Sequence, residues 1–383
     1  MKKAKMLCAF ALVAGSLAAL ASCNTQSRKL KLGIGMISAA PAESYGSWQL
    51  EINFAATAWD ENNKVVASLL DVYQVQLGDG DLNTSDSTYY FANSDETKTK
   101  RDRHDDYGMV NPPESNAAQG EWYVQAEKLE NWTKGKTVSQ LNPEEGGAVG
   151  SANVSIQTGT LLDAVKESAT GFHVSEVAEI EGENLTLALG HSMNYDRSEE
   201  GVLTQVNASV LALVLDSDKV IRQAFLDEIQ IPLTYTPAST EEPDEGGDTP
   251  QGTADGTSEQ PGTEENGGNS EGEEEEGGTT TPASWTITAG KNQVGHDAGQ
   301  AVSSKKEMHN DYGMTPDLEY VTQGNWYEQA KKFEDYLVGK KASDVSADSD
   351  GKLEAADVSI STGTYFAALT NAVNTSLYNS KTM

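Results

Sequence analysis

The chain has 383 residues, with 59 acidic against 27 basic side chains for a formal net charge of −32, and two cysteines, Cys8 and Cys23. An acid excess of this size excludes a nucleic-acid partner. Two cysteines confined to the first 23 residues exclude a disulfide framework, a cysteine metal site and a thiol nucleophile in the body of the protein.

The amino terminus reads as a targeting segment. Met1 to Lys5 is basic, and Leu7 to Leu20 is apolar but too short to span a bilayer as a permanent helix. The segment closes with Leu20-Ala21-Ser22-Cys23, which resembles a bacterial lipobox. The resemblance implies acylation of Cys23, removal of residues 1–22 as a signal peptide, and a palmitate-type lipid anchor holding the protein on the outer side of the cell membrane. The plainer alternative is an ordinary secretory signal with a chance cysteine. Residues 23–32 would be a tether.

Beyond the leader, one block occurs twice. His104-Asp105-Asp106-Tyr107-Gly108-Met109 returns as His309-Asn310-Asp311-Tyr312-Gly313-Met314. Trp122-Tyr123-Val124-Gln125-Ala126 returns as Trp326-Tyr327-Glu328-Gln329-Ala330, and Val154-Ser155-Ile156 to Thr160 returns as Val358-Ser359-Ile360 to Thr364. Fixed spacing over three blocks points to a tandem repeat. Repeat one is expected over residues 33–170 and repeat two over 171–383.

Within each repeat the elements come in the same order. Leu50, Ile52, Phe54, Ala56 and Ala58 alternate with more polar positions, as do Val206, Ala208, Val210, Ala212 and Val214, which predicts half-buried strands. Turn residues at 60–63 and 216–218 lead into return strands over 65–77 and 220–233, with one gap of a single residue between the two turns. A third strand is expected at 88–91 and 285–288. Trp122, Ala126, Leu129 and Trp132, matched by Trp326, Ala330, Phe333 and Tyr336, then recur at helical spacing, and Gly135 and Gly339 supply the stops. A last strand is predicted over 152–156 and 356–360, leading through Thr158-Gly159-Thr160 or Thr362-Gly363-Thr364 into a final helix. The fold class is therefore α+β: two tandem repeats, each an antiparallel sheet with helices packed on it.

Fourteen of the acidic residues fall between Glu241 and Pro282, where there is no Lys or Arg, and removing them leaves 45 acids against 27 bases, a net of about −18. This Gly-, Pro- and Thr-rich stretch lacks the apolar content to offset ordering entropy. It predicts a disordered acidic insertion over 237–284 inside repeat two, and a loop-tip insertion is tolerated because closure entropy grows slowly with length.

Two groups of residues are candidates for chemistry. The turns Thr158, Gly159, Thr160 and Thr362, Gly363, Thr364 combine hydroxyls with backbone N–H groups at a helix start, an arrangement that receives phosphate; plain helix capping is the competing reading. His104 and His309 lie beside carboxylates, neighbours that can raise an imidazole pKa or order it as an acid or base, whereas a structural turn with core aromatics is the competing reading. His173, His191 and His296 have no counterparts at matched positions, and no metal-ligand spacing is present, so no metal is expected. No nucleophile–base pair can be named, so an enzyme is not the favoured expectation.

The whole layout resembles bacterial surface lipoproteins with FMN-binding-like domains. The residues that carry it are the hairpin, Tyr-Gly-Met, Gly-x-Trp-x-x-Gln-Ala, Lys134-Gly135-Lys136 or Val338-Gly339-Lys340, and Val-Ser-Ile-x-Thr-Gly-Thr. The resemblance implies FMN as cofactor and an electron-carrier role outside the membrane, with the Thr-Gly-Thr turns at the phosphate and His104, Tyr107, Trp122, His309, Tyr312 and Trp326 as the residues to flank the ligand. Related domains esterify FMN to a hydroxyl in a Ser-Gly-Ala-Thr-x-Thr or Ser stretch; here the alanine and the following hydroxyl are missing. Non-covalent FMN, or a domain that has lost flavin and binds an envelope or extracellular protein, are the two alternatives that the resemblance leaves.

Overall fold

The computed structural model describes residues 27–44, 47–77, 98–110, 119–144, 147–199, 202–240, 280–288, 302–312, 314, 323–374 and 379–383. The leader, Cys23, the expected strand at 88–91 and the acidic stretch 241–279 lie outside them.

In the N-terminal half, β1 (Ser27–Ser38), β2 (Ala42–Ser44), β3 (Ser47–Asp60) and β4 (Val65–Gln76) precede α1 (Lys100–Arg103), α2 (Trp122–Thr133), α3 (Gly159–Glu167) and β5 (Ala178–Glu181). β3 lies between β1 and β4, β5 adds to the far edge of β1, and every pairing is antiparallel. In the C-terminal half, β6 (Thr186–Arg197), β7 (Leu203–Leu215), β8 (Ile221–Thr236), β9 (Ser239–Thr240), β10 (Thr280–Thr281) and β11 (Ser284–Ile287) precede α4 (Lys305–Met308), α5 (Trp326–Leu337), α6 (Gly363–Asn374) and β12 (Ser380–Thr382). The second sheet runs β11-β8-β7-β6-β12, again antiparallel. The protein is thus mixed α and β, with two antiparallel sheets and helices packed on each.

The sheets pack on each other. Leu32, Ile34, Ile52, Phe54 and Leu69 from the first meet Leu187, Leu189, Val210, Phe225 and Ile229 from the second in one buried cluster. The opposite face of the first sheet, with Ala55, Trp59 and Leu70, carries α2 and α3. The opposite face of the second, with Leu211, Leu213 and Leu226, carries α5 and α6. The result is four layers, helix–sheet–sheet–helix.

This arrangement corrects several expectations. β3 and β7 are not half-buried: Asn53, Ala55, Thr57 and Trp59, on the face expected to meet solvent, are buried under helices. The expected tether over 23–32 is overrun by β1, whose Leu30 and Leu32 are buried at the sheet interface. β1 escapes an apolar-alternation reading because glycines occupy its helix-facing side. A Cβ on Gly35 would lie 1.9 Å from the Ala164 carbonyl oxygen of α3, and one on Gly190 of β6 would lie 1.9 Å from that of Ala368 in α6. The strands over 152–156 and 356–360 are not formed; 3-10 turns at Gly150–Ala152 and Glu354–Ala356 end in left-handed Asn153 and Asp357. The hairpin turns match without a gap: Asp60 Oδ1 accepts from the N–H groups of Asn62 and Lys64, and Asp216 Oδ1 from those of Asp218 and Val220. Finally, β5 at 178–181 completes the first sheet, so the passage to the second half falls after Glu181 and not at 171.

Backbone atoms of a helix cannot retreat from a Cβ as a side chain can. Gly35→Ala and Gly190→Ala should each destabilise the protein by at least about 3 kcal/mol in denaturant unfolding. A loss below about 1 kcal/mol would show that the helices are not seated on these strands.

Candidate functional site

The repeated sequence blocks tie each long helix to the loop on its C-terminal side. Gln125 is buried in α2; its Oε1 accepts from the N–H of Ser155 at 2.7 Å and of Ile156 at 3.2 Å, and its Nε2 donates to the Gly120 carbonyl at 2.8 Å. Gln329 in α5 makes the same bonds to Ser359, Ile360 and Gly324 at 2.8, 3.2 and 2.9 Å. The Val-Ser-Ile segment fails to become a strand because its N–H groups are taken by a glutamine side chain. Gln329→Leu should cost on the order of 3 kcal/mol by leaving these groups unpaired, measured by urea unfolding, while Gln329→Glu, which keeps the acceptor, should cost less.

The Thr-Gly-Thr turns are placed at the first turns of α3 and α6, as expected. Thr158 and Thr362 are fully buried, and their hydroxyls donate to the carbonyls of Gly147 and Gly351 at 2.8 and 2.9 Å. They close the preceding loops. Gly159 and Gly363 have open space where a Cβ would be. Thr160 is exposed, and Thr364 accepts from the Ser209 hydroxyl at 3.1 Å.

Only in the C-terminal half does one of these turns join a described cavity. Thr364, Tyr312, Trp326, Lys305, Glu228 and Tyr365 line a space of about 280 Å³. Its wall is a hydrogen-bonded chain: Trp326 Nε1 donates to the Tyr365 hydroxyl, which donates to Glu228, each at 2.8 Å. Lys305 pairs with Glu228 at 2.8 Å and lies over the Tyr312 ring. Burial disfavours the Lys305 ammonium, but Glu228 and Tyr312 outweigh it and hold its pKa above the ordinary lysine value. Burial, reinforced by Glu228, pushes the Tyr365 phenol well above its usual range. In the N-terminal half Leu161 occupies the place of Tyr365, and Trp122 is a buried core side chain.

His104 and His309 both take a positive φ, 49° and 48°, which non-glycine residues rarely adopt. Ring stacking holds them there: His104 on Tyr123 at 3.7 Å, and His309 between Tyr327 at 3.6 Å and Phe172 at 4.2 Å. The neighbouring Tyr107 and Tyr312 hydroxyls donate to Gln74 and Gln230.

His309 also borders a cleft of about 650 Å³ between the two halves, lined by Phe172, Ser175 and Val177 on one side and Gln223, Tyr327, Lys331 and Val338 on the other. Three of the four exposed large hydrophobic residues among those described, Phe172, Val177 and Val338, are at this cleft. The matching place at Leu69, Arg101, Tyr123 and Glu130 encloses only about 210 Å³, where Lys381 of β12 reaches to 3.2 Å from Glu130.

Two histidines that have no counterpart in sequence stand between the sheets. His191 on β6 is 4% exposed; its Nδ1 is 2.7 Å from the Tyr73 hydroxyl, and its Nε2 is 3.4 Å from Asp102 and 3.7 Å from Asp71 of the other half. His173, in the turn after α3, lies 3.5 Å from Glu167 and 3.8 Å from Asp227. Neither histidine falls at a repeated position, because each carboxylate pair receives its histidine from a different element.

No protein-family model, no curated protein and no solved structure matches the chain.

The His191 cluster sets a pH dependence. Burial opposes charge on His191, but Asp102 and Asp71 outweigh it and raise its pKa above 6.5. Burial raises Asp71 from 3.8 to about 6, against the pull of His191 and Arg101. Both shifts make the folded state the stronger proton binder. Asp71 therefore withdraws stability as pH climbs from 3.8 towards 6, and His191 withdraws it as pH rises above 6.5. Asp102 is lowered and acts in the opposite direction, only at the acid end: burial raises it, but hydrogen bonds from His191 and Thr99 prevail. The thermal midpoint should fall as pH rises from about 5 to above 6.5, and His191→Asn should flatten the part of that fall above 6.5. A midpoint that is level or rises over this range would show that the histidine is buried uncharged.

Proposed function

We propose that the chain is a lipid-anchored extracytoplasmic binding protein, formed by tandem duplication, whose halves have fused face to face and whose partner surface is the cleft between them. The partner is an envelope or extracellular protein. The observation that carries this reading is the concentration of exposed apolar side chains, Phe172, Val177 and Val338, around one 650 Å³ cleft bordered by the Phe172–His309–Tyr327 stack. Exposed apolar groups gathered at one concave place mark a binding site. Duplication is supported by the gapless hairpin turns and by the identical bonding of Gln125 and Gln329. An insertion into the second copy is supported by the pairing of Thr240 with Thr280 and of Ser239 with Thr281, which brings the ends of the acidic stretch together.

A second reading, non-covalent flavin binding with an electron-carrier role, rests on the convergence of Lys305, Tyr312, Trp326 and Thr364 at the first turn of α6. The space there, about 280 Å³, falls below the usual range for small-molecule sites of roughly 300–1,000 Å³, and its hydroxyl and ammonium groups are already bonded within the protein. The binding-module reading is therefore preferred.

One set of measurements separates the readings. Cys23→Ser should move the protein from the membrane to the soluble fraction of cells. A photo-cross-linking residue at Val177 should give a discrete protein adduct on intact cells. The same residue at Glu127, exposed beside the narrower matching space of the other half, should not. Purified full chain should be colourless and should leave tryptophan fluorescence unchanged on titration with FMN. A yellow protein, or saturable quenching by FMN without any Val177 adduct, would replace the binding-module reading with the flavin one.

A further inference from the structure

The two interior histidine clusters differ in the number of carboxylates they gather. At His191, two carboxylates, Asp71 and Asp102, face the imidazole with the Arg101 chain beside them: its backbone N–H donates to Asp71 and its guanidinium to the Leu70 carbonyl and Glu130. At His173 there are three carboxylates: Glu167 from the end of α3, Asp227 from β8 and Glu307 from α4. Lys306, whose backbone N–H donates to Asp227, has its ammonium bound to Glu334 at 2.7 Å. Three carboxylates thus gather at one imidazole.

The third carboxylate is not needed by the backbone. Glu167 Oε2 accepts from the Met36 N–H at 2.7 Å, and in the other half Asn371, a neutral amide, receives the N–H of His191 at the corresponding place. A glutamate at 167 therefore leaves an additional charged oxygen, Oε1, turned toward His173 Nε2 at 3.5 Å. The ligand atoms of Glu167, His173 and Glu307 all lie within 4.8 Å of one another. Such spacing suits three ligands around one ion with bonds of about 2.0–2.2 Å.

The remaining ring nitrogen is also in place. His173 is 6% exposed, and its Nδ1 is buried without a hydrogen-bond partner, 3.8 Å from Asp227 Oδ2. Asp227 is itself fixed: Oδ2 accepts from the Ser304 hydroxyl at 2.6 Å and Oδ1 from the Lys306 N–H at 3.1 Å. A small closure would make Nδ1–H donate to Asp227, the outer-shell bond that orients a metal-bound imidazole and leaves Nε2 free as the ligand. Glu167 and Glu307 are partly exposed, so the ion has a way in from solvent.

We propose that Glu167, His173 and Glu307 form a zinc site that joins the two halves, with Asp227 as the outer-shell partner of His173. Imidazole with carboxylates favours zinc over magnesium or calcium, which prefer oxygen ligands throughout. Two ligands come from the end of the first half and one from α4 of the second, so the ion acts as a clasp and its binding energy becomes folding energy. The proposal does not depend on what occupies the cleft.

The test uses the full chain in detergent, stripped with chelator and then given zinc, magnesium or calcium separately. Elemental analysis should find one zinc retained per chain after dialysis, and zinc alone should raise the thermal midpoint by several degrees. Glu167→Gln and Glu307→Gln, which preserve shape, should each weaken zinc binding at least about tenfold, and the double variant should lose the thermal response while remaining folded by circular dichroism. Asp102→Asn, at the other histidine, should keep it. Zinc retention by the double variant, an equal response to magnesium or calcium, or no retained zinc in the wild type would each overturn the proposal.

Discussion

The face-to-face burial of two sheets governs the rest of the molecule. Once the strands of both halves are covered on each face, every polar group on them needs a partner inside the protein. The short helices α1 and α4 answer this at the sheet edges. Asp71 receives the N–H of Arg101, and Asp227 receives the N–H of Lys306 and the hydroxyl of Ser304. Arg101 and Lys306 are carried inward with those bonds, and each meets a buried glutamate, Glu130 or Glu334, that also accepts a strand N–H, from Leu70 or Leu226. Two chains of bonds thus tie strand, short helix and long helix together in each half.

Closeness on the outer faces arises from the same constraint. α3 and α6 cross β1 and β6 at Gly35 and Gly190 with helix carbonyls almost on the strand backbone. Helix thus sits directly on strand in both halves, and Leu161 fills the place in the N-terminal half that Tyr365 takes in the other. The larger described open volume lies where the halves meet, because β5 and β12 fill their two edges to different extents: β12 reaches Glu130 through Lys381, whereas the β5 side leaves Phe172 and Val177 uncovered.

The near-symmetry also explains where departures from it carry weight. Positions that agree between halves, such as Gln125 with Gln329 or Thr158 with Thr362, are occupied in holding loops to helices. Positions that differ, Asn371 against Glu167 and Leu161 against Tyr365, alter the charge or polarity of a buried space without altering the backbone. The buried chemistry of the halves differs at these substitutions and at the two unmatched histidines.

The sequence by itself determined what depends on short-range pattern. Helical spacing of Trp122, Ala126 and Leu129 defined α2, and its echo defined α5; turn residues at Asp60 and Asp216 defined the hairpins; Gly135 and Gly339, both with positive φ, marked the helix ends. It also singled out Lys305's neighbours Tyr312, Trp326 and Thr364, which the fold gathers around one space. Tertiary structure alone decided the second buried face of β3 and β7, since alternation in a strand shows which side is more apolar but not that another sheet and a helix cover both. It decided β1 and β6, whose glycines make sense only against a helix carbonyl from more than a hundred residues away. It decided the pairing of His173 with Asp227 and Glu307 and of His191 with Asp71 and Asp102, because charges brought together across a sheet interface leave no spacing in the chain.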